Sequence, residues 1–461
     1  MTRYDAVIIG SGQAGNPLAR KLAAKKWKVA VVERDEIGGT CINVGCTPTK
    51  TLIAAAERLH LVETSGDQGV HAEVKSIDWK AMRKRKDFIV NLFKKSTEKG
   101  LKEYDDITVI HGEARFSGKK TLDIFKGEKS ADTITADHIF INTGAKTLIP
   151  DVEGLSDVPY LTSASIMELD EIPEQLLIMG GGYIALEFGQ LFSRLGSKVT
   201  VLEMGKHLLV KEDDDVCEVL TDILRKEGLR LETGARVQSA KKGKDGKITL
   251  SFEQEGKMRR VSGTHVLVAV GRVPNTGTLN LESTGLKADK KGFIPVNAQL
   301  ETSVKGIFVL GDAKEGPAFT HVAYNDHLLA YDHIINKKRV NAKNRVIPYC
   351  MYTDPQLGRV GLNEVQAKAQ GIDIKVAKIP MKNVARAIET NRQNGFMKAV
   401  VDARTHHILG ATILSADGGE ISTALQIAMM GRLKYEDIRF AMFAHPSMME
   451  SLNNLFMTLD E

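Results

Sequence analysis

The chain has 461 residues, 43% of them hydrophobic, and at roughly 100 to 200 residues per domain that is enough for about three packed cores. Its 63 basic and 58 acidic side chains leave a formal charge of +5, too balanced to point to a nucleic-acid partner. Four cysteines in so long a chain do not make a secreted disulfide scaffold, Met1 to Tyr4 lead into a strand rather than an apolar signal segment, and no apolar run has the length of a membrane-spanning helix. A reducing, cytoplasmic setting without a membrane partner is the expectation.

Tyr4 to Ile9 read as a buried strand, followed by Gly10-Ser11-Gly12-Gln13-Ala14-Gly15, a helix from about Pro17 to Lys26, and a strand from Lys28 to Val32 that ends at Glu33. This is the Rossmann layout: glycines let the backbone approach a pyrophosphate, and the helix N-terminus faces it. Just downstream, the run Gly38 to Lys50 holds Cys41 and Cys46, five positions apart. A helix opening at residue 46, marked by Leu52, Ile53, Ala56 and Leu59, puts both sulfurs near its N-terminus, where unpaired amides favour a thiolate. A redox-active disulfide beside a flavin is the natural reading. Half of a zinc site is the alternative, but zinc needs four ligands, and Cys217 and Cys350 stand alone in the sequence; no metal site is expected.

Met82 to Glu103 is the main charge run, with Arg83, Lys84, Arg85, Lys86, Lys94, Lys95 and Lys99. Phe88, Ile89, Leu92 and Phe93 form an apolar stripe at helical spacing, so the segment reads as an amphipathic helix with a wet basic face; a membrane-surface or nucleic-acid role is the other reading. The Rossmann layout then recurs: strand Leu176 to Met179, Gly180-Gly181-Gly182-Tyr183-Ile184-Ala185, a helix through Leu195, strand Lys198 to Leu202, and Glu203. Each acid follows its first glycine by 23 residues. Two complete units with matching spacing are a strong signal where one glycine triplet is weak. A carboxylate at Glu203 accepts hydrogen bonds from ribose hydroxyls and repels a 2′-phosphate, which favours NADH. Lys206 could still receive a phosphate, so NADPH stays open.

Gly243 to Gly256 read as a hairpin around Lys244-Asp245-Gly246. His406 and His407 fall in a turn between strands, and His60 and His333 fall on helical patterns. His445 differs: Pro446 biases it to an extended backbone, and Glu450 lies five residues on. An imidazole held by a carboxylate makes a base near neutral pH.

The Gly38–Lys50 run, both fingerprints, Gly306-Ile307-Phe308-Val309-Leu310-Gly311-Asp312 and His445-Pro446-Ser447-Met448-Met449-Glu450 together resemble the class I pyridine-nucleotide disulfide oxidoreductases. That family includes dihydrolipoamide dehydrogenase, glutathione reductase and mercuric reductase, and the resemblance runs through the whole chain in the family order. It implies an α/β fold with two Rossmann-type doubly wound nucleotide-binding domains and a C-terminal α+β dimerisation domain. The FAD domain would take residues 1–148 and 273–342, the NAD(P) domain 149–272, and the dimerisation domain 343–461. By the same resemblance, Gly10, Gly12, Gly15 and Glu33 bind the adenosine half of FAD, Asp312 its ribitol, and Ala114 its adenine, while Thr143 and Gly144 lie on the return strand under the flavin. Gly180, Gly182, Glu203, Val237 and Gly271 face the nicotinamide nucleotide, with Tyr183 as an aromatic gate. Lys50 and Glu187 match an ion pair beside the isoalloxazine, where the ammonium stabilises the reduced anionic ring; an ordinary surface lysine and helix glutamate are the alternative.

The implied mechanism passes electrons from NADH through FAD to a Cys41–Cys46 disulfide. Cys46 is the thiolate facing the flavin, Cys41 deals with substrate, and His445, held by Glu450, shuttles the proton from the other subunit of a homodimer. For the substrate, a small-molecule disulfide, dithiol or metal ion, three comparisons matter. Mercuric reductases share the Cys41–Lys50 run but typically carry a C-terminal cysteine pair, absent here, and lack the histidine. Glutathione reductase usually needs basic residues where Glu203 stands. Dihydrolipoamide dehydrogenase fits the histidine and the acid, with Thr49 and Ser447 in place of its usual Ser and Thr. The segment from His445 to Phe456 and the Thr49-Lys50 ending look closest to the mercuric-reductase-like flavoproteins that include the reactive-chlorine-resistance enzyme. A flavoprotein whose redox state is read by a partner is the reading from another class.

Overall fold

The computed structural model describes residues 1–460. The chain divides into two compact units, one of residues 1–52, 80–148 and 271–345, the other of 53–79, 149–270 and 346–461.

The first unit is built on a seven-stranded sheet. Strands Ile107–His111, Val29–Glu33, Thr2–Ile9, Lys129–Ile141 and Ile307–Val309 run parallel in that order, and the hairpin Glu113–Gly118 with Thr121–Lys126 extends it antiparallel beyond Lys129–Ile141. Residues of the first strand are buried on both faces, as a parallel sheet covered by helices requires. Ala6 and Ile8 pack with Leu18 and Leu22 of the helix Gly15–Ala23, whereas Val7 and Ile9 pack with Phe116 and Ile124 of the hairpin. Alternation of side chains along the strand thus serves two cores at once.

The second unit holds the repeat. Strands Arg230–Thr233, Lys198–Glu203, Gln175–Met179, His265–Val268 and Tyr160–Leu161 form a parallel sheet, and the helix Tyr183–Arg194 follows the second glycine run. Leu177, Met179, Val266 and Val268 share a core with Phe252 and Ala240 of an adjoining three-stranded antiparallel sheet. Strands Arg236–Lys242 and Ile248–Gln254 of that sheet form the expected hairpin around Asp245, and a second turn at Gly256 adds Lys257–Gly263. The C-terminal part is a five-stranded antiparallel sheet in which Gly418–Met430 and Ser451–Met457 supply helical cover, Ile421 and Leu425 packing with Leu452, Leu455 and Phe456. The α/β architecture with two Rossmann-type sheets and a C-terminal α+β portion stands as expected.

The basic helix runs from Trp79 to Lys102, but its faces differ from the sequence reading. Phe88, Leu92 and Phe93 are 67%, 53% and 46% exposed, whereas Lys86 is buried and lies 2.8 Å from Asp87. Periodicity identifies a stripe; which face is covered depends on what is packed against it, and no local pattern encodes that. No helix among the described residues is long and apolar enough to cross a membrane.

Candidate active site

The two glycine fingerprints share their geometry. Gly10 and Gly180 both have positive φ, +99° and +105°, and a side chain at either would strike a carbonyl of the neighbouring strand end, Asn142 O at 2.3 Å or Ala269 O at 2.5 Å. Their amides donate to the equivalent carbonyls Val32 O and Leu202 O, both at 2.8 Å. The acid that ends each second strand is clamped the same way. Glu33 accepts from the Ser11 amide at 2.8 Å, the Ser11 hydroxyl at 2.6 Å and the Asp35 amide at 2.9 Å, while Glu203 accepts from the amides of Gly181 at 2.5 Å and Gly205 at 2.6 Å. Each carboxylate is therefore fixed across the mouth of its glycine turn before any nucleotide arrives. Asn142 adds a cross-brace in the first unit: its side chain accepts from the Gly15 amide at 2.9 Å and donates to Leu310 O at 3.2 Å.

Cys41 sits on the short helix Gly39–Asn43, and Cys46 is the first residue of the helix Cys46–Glu63, as the apolar spacing predicts. No disulfide joins the two cysteines. A hydrogen bond with Cys46, then burial and negative charge on Cys46, push the Cys41 thiol far up, with Thr320 acting in the opposite direction. Cys46 Sγ lies 3.3 Å from Thr320 Oγ1. Sequence reasoning missed Thr320: it stands 274 residues from Cys46, and no local motif marks it.

Thr143, Gly144 and Asp312 fall in the same unit as the first fingerprint and the cysteines. Thr143 Oγ1 is buried without a hydrogen-bond partner, and the space beside the Gly144 Cα is open. Burial pushes the Asp312 carboxyl up, with Arg272 and Lys314 holding it back. Gly12 carries the Asn16 amide on its carbonyl at 3.2 Å, and Ala114 is buried opposite Ile124. Gly271 has φ +141° with open space beside its Cα.

In the second unit, Gly182 precedes the helix that starts at Tyr183, whose side chain is exposed, and the space beside Gly182 is open. Val237 is half-buried opposite Phe252. Glu187 is buried one turn into that helix and accepts from the Tyr352 amide at 2.8 Å. Asp354, two residues after Tyr352, exchanges hydrogen bonds with Gln190 at 2.7 and 2.8 Å and pairs with Arg194 at 3.0 Å and Arg392 at 2.9 Å. Lys50 belongs to the first unit and Glu187 to the second. His445 is exposed, and its Nδ1 lies 2.9 and 3.1 Å from the two carboxylate oxygens of Glu450.

Residues 4–326 match the family described as pyridine nucleotide-disulphide oxidoreductase, and residues 347–456 match its dimerisation domain. The chain belongs to the pyridine nucleotide-disulphide oxidoreductases. Among relatives of this oxidoreductase, the probable pyridine nucleotide-disulfide oxidoreductase RclA of Escherichia coli is 35% identical over 460 residues, covering 99% of each chain. A mercuric reductase of Staphylococcus aureus is 35% identical over 99% of this chain and 83% of its own, and a dihydrolipoyl dehydrogenase of Geobacillus stearothermophilus 33% identical over 97% and 94%. The solved Cu(II) complex of the HOCl-induced flavoprotein disulfide reductase RclA from Escherichia coli superposes with a TM-score of 0.89 at 34% identity, covering 99% of both chains. Membership makes this protein an oxidoreductase that uses FAD and NAD(P)H, and its dimerisation domain supports a homodimer.

The oxidoreductase's own residues fit a flavin nucleotide. An orphaned buried hydroxyl at Thr143 and a desolvated carboxyl at Asp312 are groups that a polyol chain would satisfy. The crowded glycine turn ahead of a helix suits a pyrophosphate.

Proposed function

We propose that the protein takes electrons from NADH and delivers them, through its Cys41–Cys46 pair, to a small disulfide or a reducible metal ion in the cytoplasm. The observation that carries this reading is the cysteine pair at a helix N-terminus, in one compact unit with the flavin fingerprint. Residues 1–148 and 273–342 form the FAD domain, 149–272 the NAD(P) domain and 343–461 the dimerisation domain. Gly10, Gly12, Gly15, Glu33, Ala114, Thr143, Gly144, Asp312 and Lys50 hold FAD. Gly180, Gly182, Glu203, Val237 and Gly271 hold the nicotinamide nucleotide under the gate of Tyr183. Bound FAD supplies a two-electron carrier between nicotinamide and sulfur.

Cys46 carries the thiolate of the reduced pair. Cys41, whose proton is held by its neighbour and by burial, needs a base before it can attack a disulfide. His445, oriented by Glu450, takes that proton. Attack of Cys41 on the substrate forms a mixed disulfide and releases one thiolate, which His445 protonates; attack of Cys46 on Cys41 then releases the second thiol and leaves the Cys41–Cys46 disulfide. Proton and electron count close at one NADH and one proton per disulfide cleaved.

We place His445 in the site of the partner subunit. Phe440 and Met442, just ahead of it, are 76% and 99% exposed, an apolar surface that a second copy would cover. The His445–Glu450 contact also favours a second reading, dithiol oxidation of the dihydrolipoyl type. The related RclA, solved as a Cu(II) complex, brings Cu(II) onto the list. Stopped-flow reduction by NADH, followed by mixing with lipoamide, glutathione disulfide, Cu(II) and Hg(II) in turn, decides among them; reduced enzyme that reoxidises with none of the four would refute the proposal.

A further inference from the structure

The turn Gly311–Ala313 carries Asp312, and the residues on both sides of that carboxylate are held by Asp326 of the helix Thr320–Ile334. Asp326 Oδ2 accepts from the Gly311 amide at 2.8 Å and lies 3.0 Å from Lys314 Nζ, while Oδ1 lies 2.7 Å from Arg345 Nη1. Asp326 has no exposed surface and Lys314 is 6% exposed, so this carboxylate and this ammonium are cut off from water. Asp312 is the opposite case: among the described residues no hydrogen bond or ion pair engages its carboxylate. Burial raises that carboxyl and the charge of Asp326 adds to the rise, while Arg272 and Lys314 act in the other direction. Lys314 is thus within electrostatic reach of two carboxylates and pairs with one.

A buried ammonium must find a partner, and without Asp326 the free carboxylate on the same turn is Asp312. Arg345 is less dependent: its Nη1 also donates to Asn325 Oδ1 at 3.1 Å and its Nε to Ala342 O at 2.8 Å. We propose that Asp326 is a positioning residue of the flavin site: it holds Lys314 and the Gly311 amide, and so keeps the Asp312 carboxylate open for the ribityl hydroxyls of FAD. It acts through Asp312 rather than by touching the cofactor. The proposal rests on the placing of the FAD ribitol at Asp312.

The test follows FAD release from diluted holoenzyme, read by the return of flavin fluorescence, with the melting temperature of each variant alongside. Asp312→Asn sets the scale: loss of a charge-assisted hydrogen bond should speed release about tenfold. Asp326→Asn is expected to speed it as much, because Lys314 then turns to Asp312. Adding Lys314→Met to Asp326→Asn should return release close to the wild-type rate, since no ammonium is left to occupy Asp312. Lys314→Met alone should release FAD at the wild-type rate. If Asp326 only held the fold together, the double variant would lose FAD as fast as Asp326→Asn or faster; that result, or wild-type release from Asp326→Asn, would overturn the proposal. Should Asp326→Asn fail to fold, Lys314→Met decides: FAD retained as in wild type supports the proposal, and rapid loss overturns it, because the ammonium would then hold the cofactor itself. Wild-type release from Asp312→Asn would instead overturn the underlying placing of the ribitol.

Discussion

Cys41 and Cys46 have the same chemistry and different surroundings, so single substitutions at the two positions separate their roles. Cys46→Ser is expected to abolish the long-wavelength band that one equivalent of NADH produces anaerobically. Cys41→Ser should keep NADH-dependent flavin bleaching while disulfide turnover falls to background, read by paired absorbance and steady-state assays. Glu203 carries a second prediction. With both carboxylate oxygens tied to backbone amides, it cannot swing away from an incoming 2′-phosphate. NADH should therefore show the higher kcat/KM, and Glu203→Ala should narrow the preference by about tenfold, the scale of one charge-assisted hydrogen bond. A higher wild-type kcat/KM with NADPH would mean that Lys206 or a neighbour binds the phosphate.

At the scale of elements, two charge clusters hold the second unit in register. Lys398, on the strand Phe396–Asp402, is buried and reaches Asp213 and Asp215 at 2.8 Å and Glu364 at 2.9 Å. Burial would lower its pKa, but the hydrogen bonds it donates to these three carboxylates raise it on balance. Removing the ammonium strands the buried Asp213, whereas Asp215 keeps Lys378 at 2.5 Å and Glu364 keeps Lys368 at 3.5 Å, so Lys398→Ala should cost about 3 kcal/mol in chemical denaturation. Asp354 carries a prediction about pH. Burial alone would raise its pKa, yet Arg194 and Arg392 hold it below the usual carboxylate value. A depressed folded pKa contributes stability that is present above the unfolded value, about 3.9, and is lost as pH falls through the folded one. Asp354→Asn should lower Tm at neutral pH, and calorimetry should show the gap from wild type closing in acid. A gap that stays constant down to unfolding would show that the charge on Asp354 does not stabilise this network.

Over the whole molecule, the shared-site proposal predicts complementation. A Cys41→Ser subunit and a His445→Ala subunit are each inactive as homodimers, but in the heterodimer both defects fall in one composite site and leave the other intact. Activity should appear on co-refolding, at up to half the wild-type value per dimer. A base must come within about 3 Å of the thiol it serves, or one water further, so only assembly can make the site. Heterodimers that form by size exclusion and stay at parental background would place His445 within its own chain or outside the chemistry. The exposed Phe88, Leu92 and Phe93 belong to the same scale, since their periodicity was legible in the sequence and their lack of cover was not.

Local constraints determined much of this protein. The glycine turns need backbone that only glycine supplies, the acids must end strands at a fixed distance from them, and a cysteine pair must precede an apolar helical run; all of these are short-range patterns, and they sufficed for the two Rossmann units, the placing of Cys46 at a helix start and the His445–Glu450 contact. What lay beyond the sequence depends on contacts between distant segments. Thr320 reaches Cys46 across 274 residues, and Tyr352 sets Glu187 across 165. The faces of the helix Trp79–Lys102 were likewise decided by neighbours rather than by period. A hydrogen bond needs two atoms within about 3 Å, and which remote residues satisfy that is decided only when the cores pack.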